Sequence, residues 1–242
     1  SMAHRYLIGA ALSGQPCTLT GVDFSEDILA SMDCLKALGA DIQTDGDRVT
    51  VDPRGFMRAE HPVLTCRESG STLRFFIPLA LCLGRPVTLR GSERLLERPL
   101  DVYEELCRER GFAFRKDKDS VTLCGDLESG RYRIRGDISS QFITGLILAL
   151  VYRGKASTVE ILPPFESRSY INLTVSALRS FGADVAFADT HRIEIQPSEM
   201  HAFSGRIEGD YSNAAFVLAL RTLAMDVDMP DLPQRTRQGD RV

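Results

Sequence analysis

The sequence predicts a mixed α/β fold, of the α+β kind, made of three related units, because two patterns recur at a nearly constant spacing. The first pattern is a helix that ends at a glycine, at Gly39, Gly111 and Gly182. Glycine suits the position just after a helix, where the backbone often turns left-handed. The three glycines recur at an interval of about 70 residues, and a fixed period of this kind indicates a repeated supersecondary unit.

The second pattern is an apolar helix headed by small polar residues. It starts near Ser71, Ser140 and Ser212, which recur at nearly the same interval as the glycines. A short strand precedes the helix, most clearly in RYRIRGD (131–137) and GRIEGD (205–210). No linker or low-complexity tract separates the units. We therefore expect inward helices and outer sheets around one shared core, as a single domain over residues 1–242.

The remaining elements follow from local patterns. Each terminal glycine precedes a strand, a charged turn and a second strand, and the second strands alternate in DRVTVDP (47–53), DSVTLCGD (119–126) and HRIEIQP (191–197). Such alternation is typical of strands with one buried face. Ser71 and Thr72 are the expected N-caps of one helix, and Pro99 is expected at the first position of another, with Arg98 at its border.

Composition and charge limit the class of protein. Of the 242 residues, 43% are hydrophobic and 26% are charged, which is typical of a soluble globular protein. The net charge of -4 argues against nucleic acid as a partner. No apolar run reaches the roughly 18 residues of a membrane span, and no signal-peptide pattern opens the sequence. We therefore expect a cytoplasmic protein that binds neither nucleic acid nor membrane.

The cysteines and histidines do not form a metal-binding pattern. The six cysteines include no CxxC pair, and Cys34 and Cys82 lie inside apolar runs. Cysteines in such runs are more often small core residues than disulfide or metal ligands. The four histidines lie far apart. We expect reduced thiols, no metal and no cofactor.

Two helix starts carry residues that suit an anion. In ESGST (68–72), Gly70 lets the backbone approach a ligand closely, and a helix start offers free N–H groups. Ser139, Ser140 and Gln141 stand at the head of an apolar run. Three uncharged hydrogen-bonding side chains at that position suit a phosphate group. A capped, buried helix is the alternative interpretation of both segments.

Three further stretches carry candidate ligands. Ser167 and Tyr170 stand at another helix start, Ser1 and Arg5 are four residues apart and so share one helix face, and Arg98 borders a helix start. Each also has a plain interpretation as a cap, an exposed turn or a surface charge. No nucleophile–base pair, GxSxG, P-loop or GxGxxG motif is present. The residues predict binding of phosphate and carboxylate groups without an evident acid or base.

Six ordered segments resemble one enzyme family, the 5-enolpyruvylshikimate-3-phosphate synthases, or 3-phosphoshikimate 1-carboxyvinyltransferases. The segments are HRYLIGAAL, SGSTLRF, ERPLDVY, SSQFITGLILAL, SRSYINLTVSAL and EGDYSNAAFVLA, and the likeness extends from Ser1 to QGD at 238–240. The resemblance implies transfer of the enolpyruvyl group of phosphoenolpyruvate to the 5-hydroxyl of shikimate 3-phosphate, in chorismate and aromatic amino acid biosynthesis. It also implies three βαβαββ units that form one of two similar domains, with residues of about 225–242 near the crossing to the second.

The resemblance assigns ligands residue by residue. Shikimate 3-phosphate would contact Ser1, Arg5, Ser139, Ser140, Gln141, Ser167 and Tyr170. Phosphoenolpyruvate would contact Gly70, Arg98 and Gln141. The family's aspartate that acts on the 5-hydroxyl lies in the second domain, together with further Lys and Arg residues. We therefore assign no catalytic residue in this chain and expect the chain alone to be inactive.

The sequence departs from the family pattern around Gly70. Glu68 and Ser71 stand where the family usually has Asn and Thr, and Phe75 stands where Pro is common. An added carboxylate beside an anionic substrate should weaken binding unless a cation pairs with it.

Two other functions compete with this assignment. The chain could be a non-catalytic domain that binds shikimate 3-phosphate, or a half-length relative of the enzyme. The sister enzyme that acts on UDP-N-acetylglucosamine carries a reactive Cys on the loop before the segment matched by ERPLDVY. Here that loop reads GSERLLERP (91–99) and has no Cys, which argues against the sister enzyme.

Overall fold

The computed structural model describes residues 2–165 and 167–208, which contain seven helices and twelve strands. The helices are α1 (Met2–Leu12), α2 (Glu26–Ala37), α3 (Gly70–Leu81), α4 (Glu93–Leu96), α5 (Asp101–Arg110), α6 (Ser140–Arg153) and α7 (Arg168–Ser180). The strands are β1 (Cys17–Thr20), β2 (Asp41–Asp45), β3 (Arg48–Asp52), β4 (Val63–Thr65), β5 (Val87–Arg90), β6 (Ala113–Lys116), β7 (Ser120–Cys124), β8 (Arg131–Arg135), β9 (Ser157–Leu162), β10 (Asp184–Phe187), β11 (Arg192–Gln196) and β12 (Ser204–Arg206).

The strands form three four-stranded sheets with the same internal order. The sheets run β12-β1-β3-β2, β4-β5-β7-β6 and β8-β9-β11-β10. In each sheet the first pair is parallel and the other pairs are antiparallel. Because a parallel pair needs a crossover connection, a helix lies between β4 and β5 and between β8 and β9. The predicted mixed fold of three repeated units is confirmed.

The first unit takes its outer strand from the far end of the described chain. No described strand precedes α1, and β12 pairs in parallel with β1, where Thr18 is opposite Ser204. The helix that precedes the second strand of each sheet is therefore α1, α3 or α6, which begin at residues 2, 70 and 140. The helix expected to start at Ser212 lies outside the described residues. The boundaries of a single domain at 1–242 stay a prediction.

The predicted helix ends are confirmed, whereas two predicted helix starts are wrong. Gly39, Gly111 and Gly182 have φ of 102°, 70° and 87°, the left-handed region that favours glycine. The N-cap of α3 is Ser69, not Ser71 or Thr72, because the Ser69 side chain accepts from the Thr72 N–H. Helix α5 begins at Asp101 rather than at Pro99, and its N-cap residue makes no side-chain cap bond. Pro99 thus precedes the helix instead of opening it.

Helices α3 and α6 pack against each other unusually closely at the centre of the core. A Cβ added at Gly145 of α6 would lie 2.4 Å from the Arg74 carbonyl oxygen of α3. The buried Tyr103 hydroxyl lies 2.8 Å from the carbonyl oxygens of both Arg74 and Phe142. Only glycine permits this approach of two helix backbones. The contact sets the relative position of the two helix starts that carry Gly70, Ser139, Ser140 and Gln141.

The six cysteines are free thiols, as expected. Five are buried and Cys124 is half-buried. Burial raises the pKa of Cys82 and of Cys107 to about 12, so both are thiols at neutral pH. Within the described part of the chain, no helix is both long and apolar enough to span a membrane.

Candidate anion-binding site

The starts of α3 and α6 are joined by the side chain of Gln141. Its Oε1 accepts from Arg74 Nη1 at 2.7 Å, and its Nε2 donates to Ser71 Oγ at 2.8 Å. Both partners lie in the first turns of α3, the neighbouring helix. Gln141 therefore connects the ESGST segment directly to the SSQ segment, although 70 residues separate Ser71 from Gln141.

Arg74 is a buried cation that the sequence analysis did not single out. Its exposed fraction is 9%, and its guanidinium lies over the Phe142 ring at 5.1 Å. Nη2 donates to the Pro99 carbonyl oxygen at 3.4 Å, which connects α3 to the segment before α5. Burial lowers the pKa of Arg74, and the nearby Arg98 guanidinium lowers it further. The signal in the sequence was its position four residues after Gly70, on the same helix face.

Gly70 lies directly against two guanidinium groups. A Cβ added there would be 2.8 Å from Arg98 Nη1 and 3.2 Å from Arg74 Nη1. Arg98 is exposed, and no hydrogen bond or ion pair engages its guanidinium among residues 2–165 and 167–208. The structure thus brings together Gly70, Arg98 and, through Arg74, Gln141. These are the three residues predicted to contact phosphoenolpyruvate.

Glu68 is the one carboxylate in this loop, and it is exposed. Its neighbour Arg67 does not neutralise it, because the Arg67 guanidinium pairs with Glu26 and, at 2.7 Å, with Asp33. No ion pair to Glu68 occurs in the described part of the chain. The unfavourable effect of this carboxylate on a bound anion stays a prediction.

Arg5 connects α1 to the start of α7. Its guanidinium is buried, with Nε donating to Thr174 Oγ1 at 2.9 Å and Nη2 donating to the Tyr170 carbonyl oxygen at 3.2 Å. Thr174 Oγ1 also lies 2.9 Å from Thr144 Oγ1 on α6. Burial lowers the pKa of Arg5 to about 10, so the group stays charged at neutral pH. Two predicted ligands, Arg5 and Tyr170, are thus neighbours, and Thr174 and Thr144 are contacts that the sequence did not indicate.

The three predicted phosphate serines occupy helix starts, but in different ways. Ser139 is the N-cap of α6 and accepts from the Gln141 N–H at 3.3 Å, while Ser140 is 8% exposed. Ser167 precedes α7 with φ of 57° and makes no side-chain cap bond, so its exposed hydroxyl is not used for capping. Convergence of Ser167 with the α6 serines on one anion stays a prediction. Ser1 lies outside the described residues.

The first two turns of α1, α3, α6 and α7 are therefore connected by direct hydrogen bonds, and each helix start contributes partial positive charge. Arg5, Arg74 and Arg98 add full positive charges. His4 is not an acid or base here, because burial lowers its pKa to about 3 and keeps the ring neutral. No cluster of metal-ligating side chains occurs in the described residues. The charges and free N–H groups are of the kind that bind anions, and within residues 2–165 and 167–208 we identify no side chain at this site placed as a general acid or base.

A cavity of about 320 Å³ lies between α5 and β8, and none of the predicted ligands lines it. Its lining includes Arg110, Arg131, Arg133 and Arg135. Arg135 is paired with Asp101 and Asp137, each at 3.2 Å or less, and Arg110 donates to the Arg131 carbonyl oxygen. The two ion pairs of Arg135 reduce the positive charge that the cavity could offer to an anion.

Known proteins similar to this chain share its fold. The structure of EPSP synthase from Acinetobacter baumannii aligns with a TM-score of 0.73 at 22% identity, covering 89% of this chain and 49% of that one. The enolpyruvyl transferase NikO from Streptomyces tendae aligns with a TM-score of 0.61 at 15% identity, over 90% of this chain and 52% of that one.

Curated relatives are more similar in sequence and are named 3-phosphoshikimate 1-carboxyvinyltransferase. The protein from Clostridium kluyveri is 38% identical over 245 residues, and that from Clostridioides difficile is 33% identical over 253 residues. The alignments cover 100% and 99% of this chain but 58% of each relative. The chain thus spans somewhat more than half the length of the relatives it matches. A family model described as EPSP synthase (3-phosphoshikimate 1-carboxyvinyltransferase) matches residues 1–242, and the chain belongs to that family.

Proposed function

We propose that this chain supplies one wall of the active site for enolpyruvyl transfer from phosphoenolpyruvate to shikimate 3-phosphate. The 5-hydroxyl oxygen of shikimate 3-phosphate forms a bond to C2 of phosphoenolpyruvate, and the bond from C2 to the bridging phosphate oxygen breaks. The hydroxyl proton leaves with the phosphate, which balances the reaction. The products are 5-enolpyruvylshikimate 3-phosphate and inorganic phosphate, and no cofactor is needed.

The observation that carries the proposal is the packing of Gly70 against Arg98 and Arg74, with Gln141 bonded to Arg74. This arrangement supports a phosphoenolpyruvate subsite of Gly70, Arg98 and Gln141. Shikimate 3-phosphate would lie beside phosphoenolpyruvate, with its carboxylate held by the Arg5 guanidinium. The proposed ligands of shikimate 3-phosphate are Ser1, Arg5, Ser139, Ser140, Gln141, Ser167 and Tyr170.

The proposed partner of this chain is a second domain, which would cover the other side of the cleft. The relatives extend well beyond the match, since the alignment with the Clostridium kluyveri protein covers only 58% of its length. The absence of an acid or base among the site residues described above supports the same partner. We propose residues 1–242 as a single three-unit domain beside it. The free thiols are consistent with a cytoplasmic location.

A second candidate is a non-catalytic domain that binds shikimate 3-phosphate, because the same geometry would bind the ligand without the chemistry. The two candidates share the binding step and differ in turnover. Binding is therefore tested first, on the chain itself.

The test replaces Ser139 and Ser140 together with alanine and measures shikimate 3-phosphate binding by isothermal titration calorimetry. Charge-assisted hydrogen bonds contribute about 1.5–3 kcal/mol each, so affinity should fall at least tenfold. Loss of the Ser139 cap should cost about 0.5–2 kcal/mol of unfolding free energy.

The matched control is Ser25→Ala, because Ser25 caps α2 by accepting from the Ile28 N–H. Ser25 is not among the residues proposed to contact a substrate. It should lose similar stability and keep the affinity. If the double variant binds normally but melts earlier, the two serines are only helix caps. If the unaltered chain does not bind shikimate 3-phosphate, the proposed function is contradicted.

A further inference from the structure

A buried chain of polar side chains leads from α1 through α2 to the start of α3. His4 Nδ1 lies 2.7 Å from Ser31 Oγ, and Ser31 Oγ lies 2.8 Å from Thr72 Oγ1. The Thr72 hydroxyl donates to Ser69 Oγ at 2.8 Å. All four side chains belong to residues that are 6% exposed or less. Polar groups removed from water to this extent must satisfy one another.

The geometry determines which group donates in each of these hydrogen bonds. Thr72 has one hydroxyl proton, and its acceptors are Ser69 Oγ and, at 3.3 Å, the Asp27 carbonyl oxygen. Thr72 Oγ1 must therefore accept a hydrogen bond from Ser31. That bond uses the single hydroxyl proton of Ser31. Ser31 must in turn accept from His4, so the imidazole carries its proton on Nδ1. Burial lowers the pKa of His4 to about 3, consistent with a neutral ring.

This row of hydrogen bonds ends at Ser69, the N-cap of α3, and so determines which backbone N–H groups remain free at that helix start. Ser69 Oγ accepts from both the Thr72 N–H, at 3.2 Å, and the Thr72 hydroxyl. Gly70 and Ser71 occupy the first two positions of the helix, and their N–H groups have no acceptor within the described residues. Fixing Ser69 thus leaves two adjacent N–H donors beside Arg98 and Arg74.

We propose that His4, Ser31 and Thr72 are positioning residues for phosphoenolpyruvate: they lock Ser69 as the cap of α3 and so hold the Gly70 and Ser71 N–H groups in place for the anion. The proposal rests on the proposed function, because it takes phosphoenolpyruvate as the ligand of Gly70. It adds three residues that touch no substrate.

The test compares the ¹⁵N-labelled chain with Thr72→Val, which keeps the side-chain shape but removes the hydroxyl, and with Thr72→Ser, which restores the hydroxyl. Thr122→Val is the control, since Thr122 forms a hydroxyl pair with Thr88 on the β5–β7 sheet. Three quantities are measured: amide hydrogen exchange in the first turn of α3 relative to β11, phosphoenolpyruvate affinity from amide shifts, and the protonated nitrogen of His4 from imidazole ¹⁵N shifts.

In Thr72→Val, exchange of the backbone N–H at position 72 relative to β11 should rise at least tenfold, and phosphoenolpyruvate affinity should fall at least fivefold. Thr72→Ser should return both to within about twofold, and Thr122→Val should change neither. His4 should be protonated on Nδ1 in the unaltered chain.

Three results would overturn the proposal. A His4 proton on Nε2 contradicts the direction of the hydrogen bonds. Unchanged phosphoenolpyruvate affinity in Thr72→Val, with normal binding by the unaltered chain, rejects the positioning role and leaves the proposed function intact. Failure of the unaltered chain to bind phosphoenolpyruvate removes both the ligand of this proposal and the proposed function.

Discussion

Substitution of Gly145 by alanine tests the close contact of α3 and α6 that places Gln141 beside Arg74. The new Cβ would lie 2.4 Å from the Arg74 carbonyl oxygen and 2.5 Å from the Tyr103 hydroxyl oxygen. The first neighbour is helix backbone and cannot move alone. The helices must therefore separate, and the Tyr103 hydroxyl must leave its two carbonyl partners.

The magnitude follows from these contacts. Overpacking a dense core costs about 1–3 kcal/mol, and each lost hydrogen bond of Tyr103 costs about 0.5–1.5 kcal/mol. The higher helix propensity of alanine offsets about 1 kcal/mol. With both hydrogen bonds lost, the expected net loss is about 1–5 kcal/mol of unfolding free energy, or about 2 to 20 °C in Tm for a chain of this size.

The assay is urea unfolding followed by circular dichroism, for Gly145→Ala, Tyr103→Phe and the double variant. Removing the Tyr103 hydroxyl also removes one of the two clashes, so Gly145→Ala should cost less in the Tyr103→Phe background, by about 0.5–3 kcal/mol of coupling. Additive losses would refute the inferred clash with the hydroxyl. A Gly145→Ala variant as stable as the parent would refute the close helix approach itself.

Three further outcomes are expected. The chain alone should show no phosphate release from phosphoenolpyruvate and shikimate 3-phosphate, because the transition state needs groups on both sides of the cleft; measurable turnover would contradict this. The three units should unfold in one transition, since α3 and α6 belong to different units and pack on each other, and stable proteolytic thirds would show otherwise. At pH 8 a disulfide reagent should react with Cys124 before Cys82 or Cys107, because burial raises the pKa of the latter two to about 12 and they remain thiols; equal rates for all three would argue against their burial.

The sequence was sufficient to predict the repeated fold because its strongest signals are local. A glycine after a helix and alternation along a strand depend on backbone conformation and on one buried face, and Gly39, Gly111 and Gly182 adopt the expected left-handed φ. The first unit could not be predicted in full. Its outer strand, β12, begins only at Ser204, whereas its partner β1 ends at Thr20, and no local pattern specifies a pairing between such distant segments.

The sequence indicated the site residues whose type and position at a helix start already suggest a role. It did not indicate residues whose role depends on contacts with side chains of other helices. Gly70 and Gln141 stood out at helix starts, and the structure brings both to Arg74. Arg74 itself looked like one polar residue in an apolar helix, and His4 looked like an isolated histidine. Their roles depend on contacts between helices, as with His4 and Ser31, which are 27 residues apart.

A map of where shikimate 3-phosphate binds tests most directly the claim that connected helix starts form an anion site. The ¹⁵N-labelled chain is titrated with shikimate 3-phosphate while backbone amide and arginine Nε signals are followed. The account predicts that the largest shifts occur in the first turns of α6 and α7 and at Arg5 Nε. Shifts concentrated at the arginines of the α5–β8 cavity, with the helix starts unchanged, would contradict it.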